Sequence, residues 1–388
     1  MPETLPANAW TQRADLAELV AALGEGNARY VGGAVRDTLL GLEAHDIDIA
    51  TPLEPVEVIA RLDAAGIRSV PTGLKHGTIT AIRDGDNIEI TTLRRDISTD
   101  GRHAEVAFSH DWKEDAARRD FTINALYADP ATLEVFDWFG GLDDLHDKRV
   151  RFIGDARQRI REDHLRILRY FRFQARFGSQ PADPEAETAC AELAPMLKGL
   201  SRERIGWELQ NLLALADPAP TVARMAELGV LRAILPEAGP TGLVRLIEVE
   251  AREMVEPDAI RRLAALLPPD PAVAERVAAR LRLSIAQKKR LMLAAQRDGS
   301  GNEPRTLAYC IGHEGAVDRL LLNGCSTGPL YGWEAPVFPL KGGAIVARGV
   351  AAGPEVARIL RSIEARWIAE GFPDEARVAT LLDERLAE

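Results

Sequence analysis

Every segment with the two-residue polar–apolar rhythm of a strand lies in the first 150 residues; past about residue 155 the apolar spacing is helical. No repeat of fixed period and no low-complexity tract accompanies that change of period. The change leaves an α/β head followed by a long helical arm. In the head, residues 28–32, 45–50, 78–83, 87–93 and 133–138 read as strands, with Asp84-Gly85-Asp86 as a hairpin turn. Residues 34–40, 55–65 and 116–127 read as helices, and 94–110, polar and poor in apolar side chains, as a mobile loop. Beyond the head, helices are predicted over 160–177, 184–197, 201–215, 220–228, 240–253, 258–266, 272–281, 284–296 and 353–370. The Gly/Pro-rich stretch 325–345 is expected to form a loop between them.

A chain of 388 residues is long enough for two or three cores. The N-terminal segment lacks the basic and apolar regions of a secretory signal, and no apolar run is long enough to span a membrane. Cys190, Cys310 and Cys325 are odd in number and outside any CxxC, which fits a reducing, cytoplasmic setting better than a disulfide framework. A net charge of −11 argues against non-specific DNA coating. Within that acidic chain, residues 151–180 carry eight arginines against three acids. A concentrated basic segment of this kind suggests a defined polyanion site.

The candidate chemistry lies in five places. Asp46 and Asp48, two residues apart on a predicted strand, turn both carboxylates to one face while Ile47 and Ile49 turn inward. The pair reads either as a divalent-metal seat or as a solvated strand face. Upstream, Gly32-Gly33-Ala34-Val35-Arg36-Asp37 forms a strand-to-helix turn where backbone can approach an anion, or a plain turn with Arg36 on a wet face. Glu89 points away from the isoleucines beside it; if its strand neighbours that of Asp46, it adds a third carboxylate. In the segment 118–126, Arg119 is a candidate triphosphate ligand, and Asp120 and Asn124 are spaced to hold each other or pin neighbouring backbone; the alternative is plain helix-surface polarity.

The helix expected over 161–177 is the most informative. At about 100° per residue, Arg166, Arg169 and Arg172 sweep one side and Ile167, Leu168 and Phe171 the other. Arginines with no acid in reach are costly unless an anion sits against them, either a nucleotide triphosphate or an RNA backbone; the other reading of the row is a solvated face. Asp163 and Arg166, one turn apart, offer acceptors and a donor fork suited to the Watson–Crick edge of a base.

Taken in order, these segments resemble the tRNA nucleotidyltransferase and poly(A) polymerase family of the bacterial class II type. The similarity extends through Phe136-Asp137-Trp138-Phe139-Gly140-Gly141, Glu162-Asp163-His164-Leu165-Arg166 and Ser201-Arg202-Glu203-Arg204-Ile205-Gly206-Trp207-Glu208. The resemblance implies an α+β protein: a small mixed-sheet head of the polymerase β type over 1–150, an all-α neck over 151–218, and a helical body and tail over 219–388 that bind tRNA. It implies Mg²⁺ at Asp46 and Asp48, with Glu89 as third carboxylate. Gly33, Arg36 and Arg119 would hold phosphates and sugar; Asp163 and Arg166 would read cytosine or adenine; Arg169 and Arg172 would hold the nucleotide. The implied reaction is addition of C, C and A to tRNA from CTP and ATP, by a monomer or homodimer with no membrane partner. Poly(A) synthesis and non-catalytic RNA binding are the alternatives. Asp100-Gly101-Arg102-His103 resembles the family's loop for adding the final A, with Ala104 where proline is frequent, and the chain ends without a basic tail.

Overall fold

The computed structural model describes residues 3–44, 46–83, 86–99, 104–297 and 303–387. The turn residues Asp84-Gly85, the segment Asp100-Gly101-Arg102-His103, and His45 of the first predicted carboxylate strand lie outside the described residues. The chain divides into two compact units, 1–236 and 237–388.

The first unit opens with helix α1 (Ala14–Leu23) and continues β1 (Arg29–Val31), α2 (Gly33–Leu39), β2 (Asp48–Thr51), α3 (Pro55–Ala64) and β3 (Arg68–Gly73). Then come β4 (Thr78–Arg83), β5 (Asp86–Thr92), β6 (Arg94–Thr99), β7 (Ala104–Phe108), α4 (Trp112–Ala117), β8 (Tyr127–Ala128), β9 (Val135–Phe136) and α5 (Gly141–His146). Seven strands form one sheet in the order β3-β4-β5-β2-β1-β8-β9. Only β2 and β5 run parallel, so the sheet is mixed. The pairing sets Asp48 opposite Glu89.

Two readings of the head change. Residues 94–99 and 104–108 pair as an antiparallel ribbon, not an irregular loop. Backbone hydrogen bonds hold the ladder, and its polar first strand, Arg94–Thr99, carries little apolar signal. The ribbon is tied at its root: the Arg94 amide donates to Asp115 at 3.1 Å, and the Ser109 hydroxyl to Glu114 at 2.6 Å. Nor is 116–127 one helix. It comprises the end of α4, a 3₁₀ turn at Thr122–Asn124 and strand β8. Phe121 is extended, bridges Phe152 and is fully buried against Phe152 and Phe173. Long-range pairing overrides the local helical pattern.

Downstream lie α6 (Ala156–Glu162), α7 (Arg166–Phe177), α8 (Pro184–Leu193) and α9 (Arg202–Leu213). The helix expected over 160–177 is broken at Asp163, whose backbone is extended at φ −151° and ψ 106°. Its carboxylate accepts from the Leu165 amide at 3.1 Å, a local competitor for the helix ladder. The inward face of α7 is as expected, with Ile167, Leu168 and Phe171 buried.

The second unit is helical in all its regular elements among the described residues. Its helices at Pro304–Ile311, His313–Leu322 and Glu375–Ala387 extend beyond those predicted. The stretch 325–345 is not all loop: it holds a 3₁₀ turn at Gly328–Leu330 and enters a short helix at Gly342–Val346. One of its cores gathers Ile359, Ile363, Trp367, Leu381 and Leu382. Among the described residues, no helix is long and apolar enough to cross a membrane.

Candidate active site

Within the first unit, a cleft of about 480 Å³ is lined by four separate stretches of chain. The β1–α2 turn brings Gly32, Gly33 and Arg36; the approach to β2 brings Asp46 and Asp48. The segment after α4 brings Arg118, Arg119, Asp120 and Asn124. The α6–α7 junction and α7 bring Asp163, Arg166, Arg169, Arg172 and Phe173. Nine of the ten residues singled out from the sequence line this cleft; the tenth, Glu89, stands beside Asp48 on the neighbouring strand.

Asp48 opens β2 and Asp46 lies just before it. Both are exposed, while Ile47 and Ile49 are buried beneath them. Asp48 opens to solvent, yet protein crowds it on the other sides. That partial loss of water, then the Glu89 charge and more weakly Asp46, push its carboxyl up to about 6 against the pull of Arg119. A carboxylate so pressed by like charge favours a cation. Two oxygen donors exposed in a cleft suit a hard divalent ion that takes the rest of its shell from substrate phosphate and water. Among the described residues, no three His, Cys, Asp or Glu side chains are grouped to enclose a metal.

The glycine turn presses close to Arg119: a Cβ on Gly32, at φ 72°, would lie 3.3 Å from the Arg119 Nη1. Arg36, by contrast, is buried and largely committed. It pairs with Asp37 at 2.6 Å, donates to Asn124 Oδ1 at 2.5 Å, and stacks over Phe177 at 4.2 Å. Burial lowers its pKa against the opposing charge of Asp37. Asn124 also donates to Asp120 at 3.0 Å, so the expected contact between these two forms, though across a turn and not a helix.

The arginine row is not free of acids, contrary to the sequence expectation. Arg166 pairs with Glu162 at 2.6 Å, Arg169 with Asp120 at 2.6 Å and Arg172 with Glu208 at 2.7 Å. These acids come from three different elements, two of them remote in sequence, so no reading of α7 alone could supply them. Glu208, on α9, is almost fully buried. Arg169 and Arg172 still keep 31% and 15% of their side-chain surface open, enough to face a ligand. Asp163 and Arg166 are also not stacked on one helix. The Asp163 carboxylate meets Arg204 of α9 at 2.6 Å, while Arg166 donates to Glu162 and to the carbonyls of Arg159 and Arg118. Three of the five Arg166 donors are thus used and two remain.

Sequence reasoning assigned no role to Arg118, Asp115, Tyr127, Arg204 or Glu208. The last two fall in the 201–208 motif one turn apart on α9, a spacing that puts them on one face. Asp115 is likewise spaced three and four residues from Arg118 and Arg119, but Tyr127 carries no such signal, because only the folded chain brings it to them.

Residues 28–151 match the family described as the Poly A polymerase head domain, and residues 182–240 match the probable RNA and SrmB-binding site of polymerase A. The mitochondrial CCA tRNA nucleotidyltransferase 1 of Homo sapiens is 37% identical over 89% of this chain and 84% of its own. A CCA-adding enzyme of Leuconostoc citreum is 43% identical over 48% of this chain and 45% of its own. The solved Bacillus stearothermophilus CCA-adding enzyme in complex with CTP is similar at a TM-score of 0.77 and 26% identity, covering 97% of this chain and 99% of that one.

Proposed function

Because the chain belongs to the CCA tRNA nucleotidyltransferase family, we infer that its head cleft joins nucleotides to an RNA 3′ end. The protein adds C, C and A to the 3′ end of tRNA, using CTP and ATP. The RNA 3′ oxygen bonds to the α-phosphorus of the incoming nucleotide. The bond to the bridging oxygen breaks and pyrophosphate leaves.

A divalent metal belongs to this chemistry, and we assign it as Mg²⁺ held by Asp46 and Asp48. When bound it supplies Lewis-acid activation of the hydroxyl and charge neutralisation at the triphosphate. Glu89 extends the acidic edge and takes the hydroxyl proton. Arg119, with Gly33 and Arg36 on the turn beside it, holds the phosphates and sugar, and Arg169 and Arg172 hold the nucleotide along α7.

Asp163 and Arg166 select the base. Cytosine and adenine both present an amino donor beside an unprotonated ring nitrogen; uracil and guanine present a carbonyl beside an N–H. A carboxylate acceptor next to a guanidinium donor matches the first pair and opposes the second. Further along the chain, we propose a neck over 151–218 and a tRNA-gripping body and tail over 219–388. The three cysteines are free, which supports a cytoplasmic setting.

The observation that carries the reading is one cleft lined by both the Asp46–Asp48 pair and the Asp163–Arg166 pair. Incubation with tRNA lacking its last three nucleotides, CTP, ATP and Mg²⁺ tests it. Addition of three nucleotides and then arrest is expected; a long adenylate tract, or indifference to CTP, would assign the chain to poly(A) synthesis instead.

A further inference from the structure

Behind the cleft lies a buried polar cluster of which the reaction above uses Arg119 alone. The Asp115 carboxylate, at the end of α4, is 1% exposed and accepts from four donors. These are the Arg118 Nε at 2.8 Å, the Arg119 Nη2 at 3.3 Å, the Tyr127 hydroxyl at 2.5 Å and the Arg94 amide at 3.1 Å. Tyr127 is fully buried on β8, its ring fixed edge-on to Trp112 and Trp138. Its hydroxyl donates to Asp115 and accepts from the Arg119 Nε at 3.0 Å.

Together these bonds hold one edge of the Arg119 guanidinium, the Nε–Nη2 fork. The opposite end, Nη1 and the second Nη2 hydrogen, is left for a ligand. It abuts the Gly32 turn, and its charge reaches Asp48. Burial alone would raise the Asp115 carboxyl, but Arg119, Arg118 and the Tyr127 hydroxyl hold it down at about 2. It is therefore a permanent anion, and its charge fixes a cation beside it.

We propose that Tyr127 and Asp115 are positioning residues that aim Arg119 at the triphosphate of the incoming nucleotide. The inference rests on the reading of Arg119 as a phosphate ligand. Arg119 keeps 22% of its side-chain surface open, so without this clamp a long side chain would sample many rotamers and lose entropy on each binding event. The clamp acts on the phosphates, which CTP and ATP share, and not on the base.

Tyr127→Phe keeps the ring and removes only the hydroxyl. It is expected to raise KM for CTP and for ATP alike, by about tenfold or more, the scale of one hydrogen bond to a charged group. The inhibition constant for pyrophosphate should rise by a similar factor, while KM for tRNA and the CTP-over-UTP preference stay unchanged. In an Arg119→Ala background, Tyr127→Phe should add little, because the effect runs through that arginine. Asp115→Asn should shift the same constants further if it folds; Tyr127→Phe carries the test if it does not. Unchanged nucleotide KM and pyrophosphate inhibition in Tyr127→Phe would overturn the proposal, as would full additivity with Arg119→Ala. A wild-type protein that adds no CCA refutes the function itself; a CCA-adding wild type with an inert Tyr127→Phe refutes only the clamp.

Discussion

Partial loss of water, and then the charges of Glu89 and Asp46, push the Asp48 carboxyl up to about 6. The ordinary value is about 3.9, so this group supports folding fully below that pH, and its support is lost as pH rises through 6. In metal-free protein, Asp48→Asn should therefore raise the unfolding temperature at about pH 8 and leave it unchanged near about pH 3.5, where both side chains are neutral. Calorimetry in chelator reads this, and equal unfolding temperatures at the higher pH would show that the neighbours exert no pressure. The same substitution is expected to abolish nucleotide addition while filter binding of tRNA persists. At the other carboxylate, Arg204 and the Leu165 amide hold Asp163 in place, and the base reading proposed for it and Arg166 can be tested at Arg166. Arg166→Ala should cost about 1–3 kcal/mol of discrimination, read as UTP incorporation rising against CTP. A uniform loss with CTP and ATP and no misincorporation would remove Arg166 from base selection.

Among the elements, the segment 118–126 shows most clearly how packing overrides local pattern. Its sequence spacing is helical, but a 3₁₀ turn at Thr122–Asn124 lies under α5 so tightly that a Cβ on Gly141 would come within 2.3 Å of the Thr122 carbonyl oxygen. Gly141→Ala must push that turn, which carries Asn124 and through it Asp120 and Arg36. The expected cost is about 1–3 kcal/mol of stability in urea titration, accompanied by a fall in kcat/KM. An unchanged midpoint would mean that the two elements separate freely. The β6–β7 ribbon makes the complementary point: its backbone pairing and its anchorage on Asp115 and Glu114 are invisible in an alternation pattern.

At the scale of the whole molecule, each of the two units has a core of its own, and in the second the charge is buried as well. Glu250, 2% exposed, accepts from both Arg261 at 2.7 Å and Arg262 at 2.8 Å. Removing the shared carboxylate takes a buried ion pair from each guanidinium, although Arg261 keeps Asp318 at 3.3 Å, a defect of about 3 kcal/mol. Glu250→Ala should lower the unfolding temperature of the second unit, and equilibrium dialysis should find CTP binding by the first unit retained. Loss of CTP binding at a temperature where the helical signal is intact would contradict that independence.

The amino-acid sequence alone determined the division into a mixed α/β head and a helical remainder, because apolar period is a local property of the chain. It also marked Asp46, Asp48, Asp163, Arg166 and the arginines of α7, whose residue types and spacings are local too. Only the tertiary structure decided which acids neutralise those arginines, where the helix breaks at Asp163, and that Asp115 and Tyr127 stand behind Arg119. Several of those outcomes depend on partners from 8 to 49 positions away, such as Tyr127 for Arg119 and Asp120 for Arg169. A carboxylate far along the chain leaves no mark on the periodicity of the helix it will meet.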